Sequence, residues 1–330
     1  MQRKILQKIL LNWFCFQQQT QVLKNKQELM TSQRKNKKRG LMNDYRAKMP
    51  WSELIFKDIF FSLKETVNYF KNGFKNRTIL AYPEFPSRNS TFYKICTELN
   101  YNITNRINRN YCLAIFWEDA TIREKNPDIE KISKTTKVIN YSSRDIRKIL
   151  VDQVHQEVFG YSTKLDPRKY EGKCVRKNDI NASHDGQIID CPISKPDQRY
   201  IYQKLIDNTY DDEHVVDIRV PIIGKTIPLV YFKYKPIDAR FGNFRMVKNV
   251  KSPEIQEPEA VFSKSEIHNI MEMAEKMNIE FGEMDILRDR DDKRIYVIDV
   301  NNTPTGPSNF SKPEYKKAIK KLSSAFTRQF

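Results

Sequence analysis

The sequence predicts an α/β protein that becomes α+β in its C-terminal part, with a small, mostly parallel sheet followed by antiparallel sheets. Residues 111–117 form a continuous apolar run, which is typical of a strand buried on both faces of a parallel sheet. A strand over 78–82, ended by Pro83, and a helix that begins at Ser90 precede this run, which completes a strand–helix–strand unit. From Val175 onward, short turn signals separate the strands, which indicates antiparallel hairpins.

Length and composition exclude several classes of protein. The 330 residues suggest about two domains, and 39% hydrophobic residues are enough to fill a core, which excludes a wholly disordered chain. No run of about 18 apolar residues exists, so we expect no membrane-spanning helix. The 5 cysteines are scattered and never in C-x-x-C spacing, which predicts reduced thiols and neither a disulfide framework nor a zinc site.

The net charge of +17 is concentrated near the N-terminus. Residues 1–75 carry 16 Lys and Arg against 5 Asp and Glu, whereas the other 255 residues carry 42 against 36. The basic run 34–39 is either a solvated linker or a contact for RNA or another anionic surface. We therefore expect a basic N-terminal arm over residues 1–50.

The first 27 residues contain no acidic residue, since Glu28 is the first one. Apolar residues recur there at helical spacing: Ile5, Ile9, Leu10, Trp13 and Phe14. An acid-poor amphipathic start is typical of a mitochondrial presequence, but it also fits a surface helix without a targeting role. Both a mitochondrial and a cytoplasmic location stay open, and the acid-poor start favours the mitochondrion.

Helix signals define three further segments. Pro50, Ser52 and Gly73 bound a helix over 51–72, whose broad apolar face would be core or a docking surface. A capping box of Ser263 and Glu266 opens a helix over 264–277. A last amphipathic helix is predicted over 313–330, with these apolar residues on one stripe: Tyr315, Ile319, Leu322 and Phe326.

The stretch 281–304 carries the clearest chemical signal. Two apolar runs flank a charged turn, and if that turn is centred on Asp292, Asp285 and Asp299 lie directly opposite each other. Asn301 shares the face of Asp299. Like charges placed opposite destabilise a sheet, and a bound cation with oxygen ligands, such as Mg²⁺ bridging phosphates, would remove that cost. The alternative is a register one residue away, with the acids only solubilising the hairpin.

Two basic features accompany this hairpin. Lys177 ends a strand beside the polar loop 178–186, which could lay backbone N–H groups and an ammonium onto phosphates or could be an ordinary hairpin turn. Asp217 and Arg219 share a strand face and could simply pair. Alternatively, four cations would form a surface for an anionic substrate: Arg219, Lys233, Lys235 and Arg240.

The order of these features resembles the ATP-grasp superfamily, and most closely its ligases that join carboxylates to amines. The resemblance covers roughly residues 140–310. It implies a preceding small domain over 76–147, an ATP-grasp domain over 148–312, and the helix segments 51–75 and 313–330 outside them.

The resemblance also implies roles for individual residues. Lys148 and Lys177 are similar to the family's nucleotide-binding lysines, and residues 181–186 resemble its phosphate loop, with Asn181, Ser183, His184 and Gly186. Gln203, Lys204, Leu205 and Ile206 resemble the segment whose backbone contacts adenine, and Asp207 a ribose partner. Arg219 is similar to the arginine that steadies an acyl phosphate, with Lys233 or Arg240 nearby, and the magnesium triad matches Asp285, Asp299 and Asn301.

Three departures from the family pattern stand out. The phosphate loop has one glycine where several are usual, Gln203 stands where Glu is common, and Asp299 replaces the more common Glu.

The implied activity is that of a ligase that uses ATP and Mg²⁺ to convert a carboxylate substrate into an acyl phosphate and passes it to an amine or similar nucleophile. Two alternatives stay open. One is a subunit of a large assembly, such as a mitochondrial ribonucleoprotein, with weak or lost catalysis. The other is a kinase on the same fold.

Overall fold

A computed structural model describes residues 66–73, 77–181, 185–241 and 251–330, together with residues 63, 75 and 183. The chain divides into the units 1–63 and 64–330, and the second unit contains all the strands and helices named below. The predictions for the basic arm, for most of the helix over 51–72 and for His184 lie outside the described residues.

The first part of this unit is a four-stranded parallel sheet in the order β2-β1-β3-β4. Its strands are β1 (Thr78–Pro83), β2 (Asn102–Thr104), β3 (Leu113–Trp117) and β4 (Val138–Ile139). The helices α1 (Thr91–Glu98) and α2 (Pro127–Ser133) accompany it. All five residues of β3 are buried, as the apolar run predicts, and the Ser90 side chain caps α1 by accepting a hydrogen bond from the Tyr93 N–H.

The second part begins with α3 (Lys148–Phe159) and a three-stranded antiparallel sheet in the order β6-β5-β7. The strands are β5 (Gly172–Asn178), β6 (Gln187–Cys191) and β7 (Tyr200–Lys204). This sheet has a small core of its own around Cys174, Cys191 and Tyr202.

A five-stranded antiparallel sheet follows in the order β10-β9-β8-β11-β12. Its strands are β8 (His214–Ile223), β9 (Val230–Pro236), β10 (Glu254–Gln256), β11 (Phe281–Arg288) and β12 (Ile295–Asn301). A short 3-10 turn (Ile237–Ala239) and three helices complete the unit: α4 (Pro258–Val261), α5 (Lys264–Lys276) and α6 (Lys312–Gln329). A parallel sheet followed by antiparallel sheets confirms the predicted fold class.

The predicted helix signals are found in α5 and α6. Ser263 and Glu266 form both hydrogen bonds of the capping box at the start of α5. In α6, the predicted apolar stripe is largely buried, with Ile319, Leu322 and Phe326 inside the core. Residues 66–71 are helical, but Val67 and Phe70 are exposed, so their part of the predicted apolar face is not in the core.

The two faces of the five-stranded sheet have different partners. On one face, alternate apolar residues such as Ile218, Val220 and Met284 pack against α3 and α5. On the other face, Ile223 and Phe281 lie at one end and join a core shared with the parallel sheet, α1 and α6. The remaining part of that second face carries charged side chains instead of apolar ones, because polar residues occupy the same alternate positions further along the strands.

Two buried polar side chains also join the parallel sheet to the five-stranded sheet. Arg123 donates from Nη2 to Asn302 Oδ1 over 2.7 Å. Asn140, which has a φ of 58°, donates from Nδ2 to the Phe281 carbonyl over 2.6 Å. The predicted domain boundary at residue 148 stays a prediction.

Within the part of the chain that the structure describes, no helix is long and apolar enough to cross a membrane.

Candidate active site

Four polar residues form one row across the five-stranded sheet. Tyr231 on β9 pairs with Arg219 on β8, Arg219 with Asp285 on β11, and Asp285 with Asp299 on β12. Directly paired residues in antiparallel strands project to the same face, so all four side chains share one surface. The predicted pairing of Asp285 with Asp299 is confirmed.

A β-bulge on β12 produces that pairing. Ile286 pairs with Val297, but the next residue on β11, Asp285, pairs with Asp299, so Ile298 is the extra residue. Before the bulge, Val297 faces the core with α3 and α5, and after it Val300 does. The bulge thus turns Asp299 and Asn301 to the polar face, where an uninterrupted alternation from Val297 would have turned them toward the helices.

Arg219 is the centre of the ion pairs on this face. Its Nη1 bonds to Asp285 and lies 3.5 Å from a carboxylate oxygen of Glu283. Asp217 also pairs with Arg219 over 4.0 Å, as their shared strand face predicts, although its nearer partner is Lys235 Nζ at 2.7 Å. Three carboxylates therefore surround one guanidinium.

Burial, together with the neighbouring charges, changes the pKa values of two groups on this face. Burial, reinforced by Asp299 and Glu283 against the opposing effect of Arg219, raises the pKa of Asp285 to about 7. Burial, with Arg219 nearby, lowers the pKa of Lys233 to about 8. Both groups sit where an added charge of opposite sign would be stabilised.

Two lysines form a second wall of the site, next to the charged sheet face: Lys148 from α3 and Lys177 from the end of β5. Lys148 donates from Nζ to the Ile180 carbonyl over 2.8 Å and to Asn181 Oδ1 over 3.2 Å. Lys177 Nζ lies 3.5 Å from the carbonyl of the bulge residue Ile298. Burial, with Lys148 nearby, lowers the pKa of Lys177 to about 8, while Asp299 and Asp285 act in the opposite direction.

The loop after β5 contacts the β11–β12 hairpin through Asn181. Asn181 donates from Nδ2 to the Val300 carbonyl over 2.9 Å. Ser183 donates a hydrogen bond from Oγ to the Ile180 carbonyl over 3.0 Å. At Gly186, an added Cβ would lie 2.7 Å from the Phe241 ring, so this close approach requires glycine.

The segment predicted to contact a nucleotide base has engaged side chains. Gln203 is buried and donates from Nε2 to Thr163 Oγ1 over 2.6 Å. Lys204 bonds across to the β11–β12 turn, with Nζ 2.6 Å from Asp289 and 2.8 Å from Asp292. The side chains of both residues therefore serve the fold. Part of the backbone is engaged as well, since the Lys204 N–H donates to the Thr163 carbonyl over 2.7 Å and the Ile206 carbonyl accepts from the Asn208 N–H over 3.1 Å.

The rest of this segment lies beside Arg240. Leu205 is half-buried and Ile206 buried. Asp207 accepts a hydrogen bond from the Thr209 N–H. Hydrogen bonding from the Thr209 side chain, helped by this N–H, lowers the pKa of Asp207. Arg240 donates from Nη2 to Asn208 Oδ1 over 2.7 Å, so the structure places it next to this segment.

The candidate ligand set fits a cation that is only partly bound by protein. Asp285 and Asp299 offer carboxylates and Asn301 an amide oxygen, which also accepts a 2.8 Å hydrogen bond from the Thr303 N–H. Among the described residues, no group of three or more His, Cys, Asp or Glu side chains could hold a metal ion. Two carboxylates and an amide suit Mg²⁺ whose other ligands are phosphate oxygens and water.

The sequence reasoning missed Glu283. Its carboxylate is buried, accepts a hydrogen bond from the Tyr231 hydroxyl, and faces Arg219. The available signal was its spacing, since Glu283 lies two residues before Asp285 and shares its face of the strand.

The solved structures that this chain resembles include several ATP-grasp ligases. The D-alanine–D-alanine ligase from Bacillus anthracis shares 11% sequence identity, with a TM-score of 0.45 over 76% of this chain and 95% of that chain. The ATP-grasp ligase PsnB complexed with a minimal precursor shares 16% identity, with a TM-score of 0.40 over 60% of this chain and 65% of that chain. D-cycloserine synthetase DcsG shares 10% identity with a TM-score of 0.44 over 76% of this chain and 99% of that chain.

No family model matches this sequence, and no curated protein matches it. The similarities to solved structures are distant in both identity and TM-score, so the activity has to be inferred from the side chains of this chain.

Proposed function

We propose that this chain is an ATP- and Mg²⁺-dependent ligase that activates a carboxylate and joins it to an amine or similar nucleophile. The observation that carries the proposal is a pair of walls of opposite charge. Lys148 and Lys177 line one wall, and Asp285 and Asp299 line the other. Phosphates with a divalent cation are the ligand that both walls stabilise together.

Each wall has a distinct task in this proposal. Asp285, Asp299 and Asn301 would hold Mg²⁺, and Lys148 and Lys177 would neutralise phosphate oxygens. When bound, ATP supplies the phosphoryl group that turns the carboxylate into an acyl phosphate, with Mg²⁺ as its electrostatic partner.

The cations of the sheet face would position the carboxylate substrate. Arg219 is held by Asp285 and Glu283, so its guanidinium is oriented before a substrate arrives. Lys233 is buried on the neighbouring strand, and an anion beside it would stabilise its charged form. Positioning and charge stabilisation are the contributions that this chemistry asks of the protein.

The decisive variant is Lys177→Met, because methionine keeps much of the packing of the stem and removes the charge. We expect Mg·ATP to bind at least ~10-fold more weakly, as for the loss of one charge-assisted contact. Calorimetric titration measures this change. The matched control is Lys173→Met, which removes an exposed lysine from the same strand and should leave the affinity unchanged.

Two results would contradict the proposal. Wild-type protein that shows neither a thermal shift nor binding heat with Mg·ATP has no nucleotide site of this kind. Equal affinity in wild type and Lys177→Met would show that Lys177 has only a structural role. A kinase, in contrast, would bind Mg·ATP normally but would yield a stable phosphorylated product instead of free phosphate and a joined product.

The charge of residues 1–75 favours a second, additional role. Its 16 basic residues against 5 acidic ones suit an anionic partner such as RNA, independent of the proposed nucleotide site.

A further inference from the structure

Two cysteines of the three-stranded sheet lie in contact, outside the proposed active site. Cys174 on β5 and Cys191 on β6 are both buried, and their Sγ atoms are 3.0 Å apart. Cys174 pairs with Ile189 and Gly172 with Cys191, so the two thiols are diagonal neighbours across adjacent antiparallel strands. The other two cysteines of the described residues, Cys96 and Cys112, take no part in this contact.

We propose that Cys174 and Cys191 are a modification site, a thiol pair that hydrogen peroxide oxidises to a disulfide across the β5–β6 hairpin. The chemistry balances in two steps. One thiol loses its proton and its sulfur attacks peroxide, the O–O bond breaks, a sulfenic acid forms, and the leaving hydroxide takes up that proton to become water. The second thiol then attacks that sulfur, the S–O bond breaks, a second water leaves, and the S–S bond forms.

The surroundings set the order of the two steps. Cys174 is 0% exposed and Cys191 is 9% exposed, so the oxidant reaches Cys191 more readily. Burial and the neighbouring thiol raise the pKa of Cys174 to about 12, which makes it a poor first nucleophile. Cys191 is therefore the thiol that attacks peroxide, and Cys174, whose Sγ already lies 3.0 Å away, resolves the sulfenic acid because of this proximity.

The position of the pair gives the disulfide a mechanical effect. β6 is an edge strand that pairs only with β5 within the described sheet, and most of its residues are exposed. Strands of this kind open at low free-energy cost. The bond would tie β6 to β5 at the end of the hairpin opposite the loop 179–186, so oxidation restrains this opening.

The test uses the full-length chain in its native state, treated with hydrogen peroxide and digested under conditions that preserve disulfides. We expect a linked peptide pair containing Cys174 and Cys191, a mass decrease of about 2 Da relative to the reduced chain, and reversal by dithiothreitol. Hydrogen exchange of the β6 amides (187–191) should slow at least ~5-fold in the oxidised chain. Cys112→Ser, which alters an exposed cysteine, should behave like wild type.

Two variants test the assigned order. In Cys174→Ser, peroxide should leave a sulfenic acid at Cys191 that dimedone labels, whereas Cys191→Ser should give little label at Cys174. Absence of the linked peptide in native wild-type protein would overturn the proposal, as would a linkage that forms only in urea. Neither outcome depends on nucleotide binding, so the result is separate from the proposed ligase activity.

Discussion

His155 shows what a single buried polar residue costs this fold. Its side chain is fully buried on α3, stacked on Phe159 and surrounded by Tyr161 and Tyr296. Among the described residues, neither ring nitrogen has a hydrogen-bond partner. Burial lowers the pKa of His155 to about 4, although Asp152 opposes the shift, so the folded protein holds a neutral ring.

This lowered pKa makes stability depend on pH in a defined window. The unfolded chain takes up a proton near pH 6.5, whereas the folded chain takes it up only near pH 4, so stability is lost as the pH falls between these values. His155→Phe removes this loss while keeping an aromatic ring in the cluster. We expect wild type to lose about 3 kcal/mol more than the variant between pH 7 and pH 4, measured by urea unfolding. Parallel pH profiles for the two proteins would contradict the prediction.

At the scale of elements, the bulge at Ile298 decides which side of β12 carries the site. The same strand places Val297 and Val300 in the core and Asp299 on the polar face, although Val297 and Asp299 are two residues apart. A bulge is therefore part of the site as much as its carboxylates are.

A pair of asparagine substitutions tests this arrangement. Val300→Asn puts an amide into the core against α3 and α5 and should lower the free energy of unfolding by about 2–4 kcal/mol. Asp299→Asn keeps the shape of the side chain at the polar face and should change it by less than about 1 kcal/mol. Urea unfolding of both variants at pH 7.5 measures the difference. The reverse order of effects would mean that β12 has no bulge and that Asp299 faces the helices.

Sequence reasoning reached the hairpin because its evidence is local. Asp285 and Asp299 are equally far from Asp292, and counting from the turn paired them correctly. The last pair before the turn is Arg288 with Ile295, and without a bulge this register would pair Asp285 with Ile298. The extra residue of the bulge moves the partner of Asp285 by one position, to Asp299. The count was right although the bulge was not foreseen.

What the sequence could not supply is contact between distant strands. Glu283 acquires its role from Tyr231 and Arg219, which lie on β9 and β8, and the pairing of Asp217 with Lys235 depends on the β8–β9 register. Similarly, nothing local indicates that Gln203 turns toward Thr163 or that Lys204 reaches the β11–β12 turn.

At the scale of the whole molecule, charge is divided along the chain. Residues 1–75 have 11 more basic than acidic residues, whereas the remainder, which carries the candidate active site, has only 6 more. In our proposal, this division separates the nucleotide site from the segment that would bind anionic partners.

Deleting residues 1–48 should therefore weaken binding to mixed-sequence single-stranded RNA and leave Mg·ATP binding unchanged. The RNA binding of the full chain should fall steeply with salt, because each neutralised phosphate releases counterions. RNA retention at low and high salt, with Mg·ATP thermal shift as the control, measures both parts. A truncated chain that keeps RNA but loses ATP would reverse the assignment.

The separate core of the three-stranded sheet has a consequence for how a ligand enters. The parallel and five-stranded sheets share a buried apolar cluster, and Arg123 and Asn140 fasten them further. The three-stranded sheet meets β12 and its turn through polar contacts such as Asn181 with Val300 and Lys204 with Asp289. Water can replace polar contacts of this kind, whereas it cannot replace apolar packing. We therefore expect the three-stranded sheet to move by a hinge motion relative to the other two sheets, which stay fixed to each other. The proposed nucleotide would then enter through the solvent-accessible, polar contact region between the three-stranded sheet and β12.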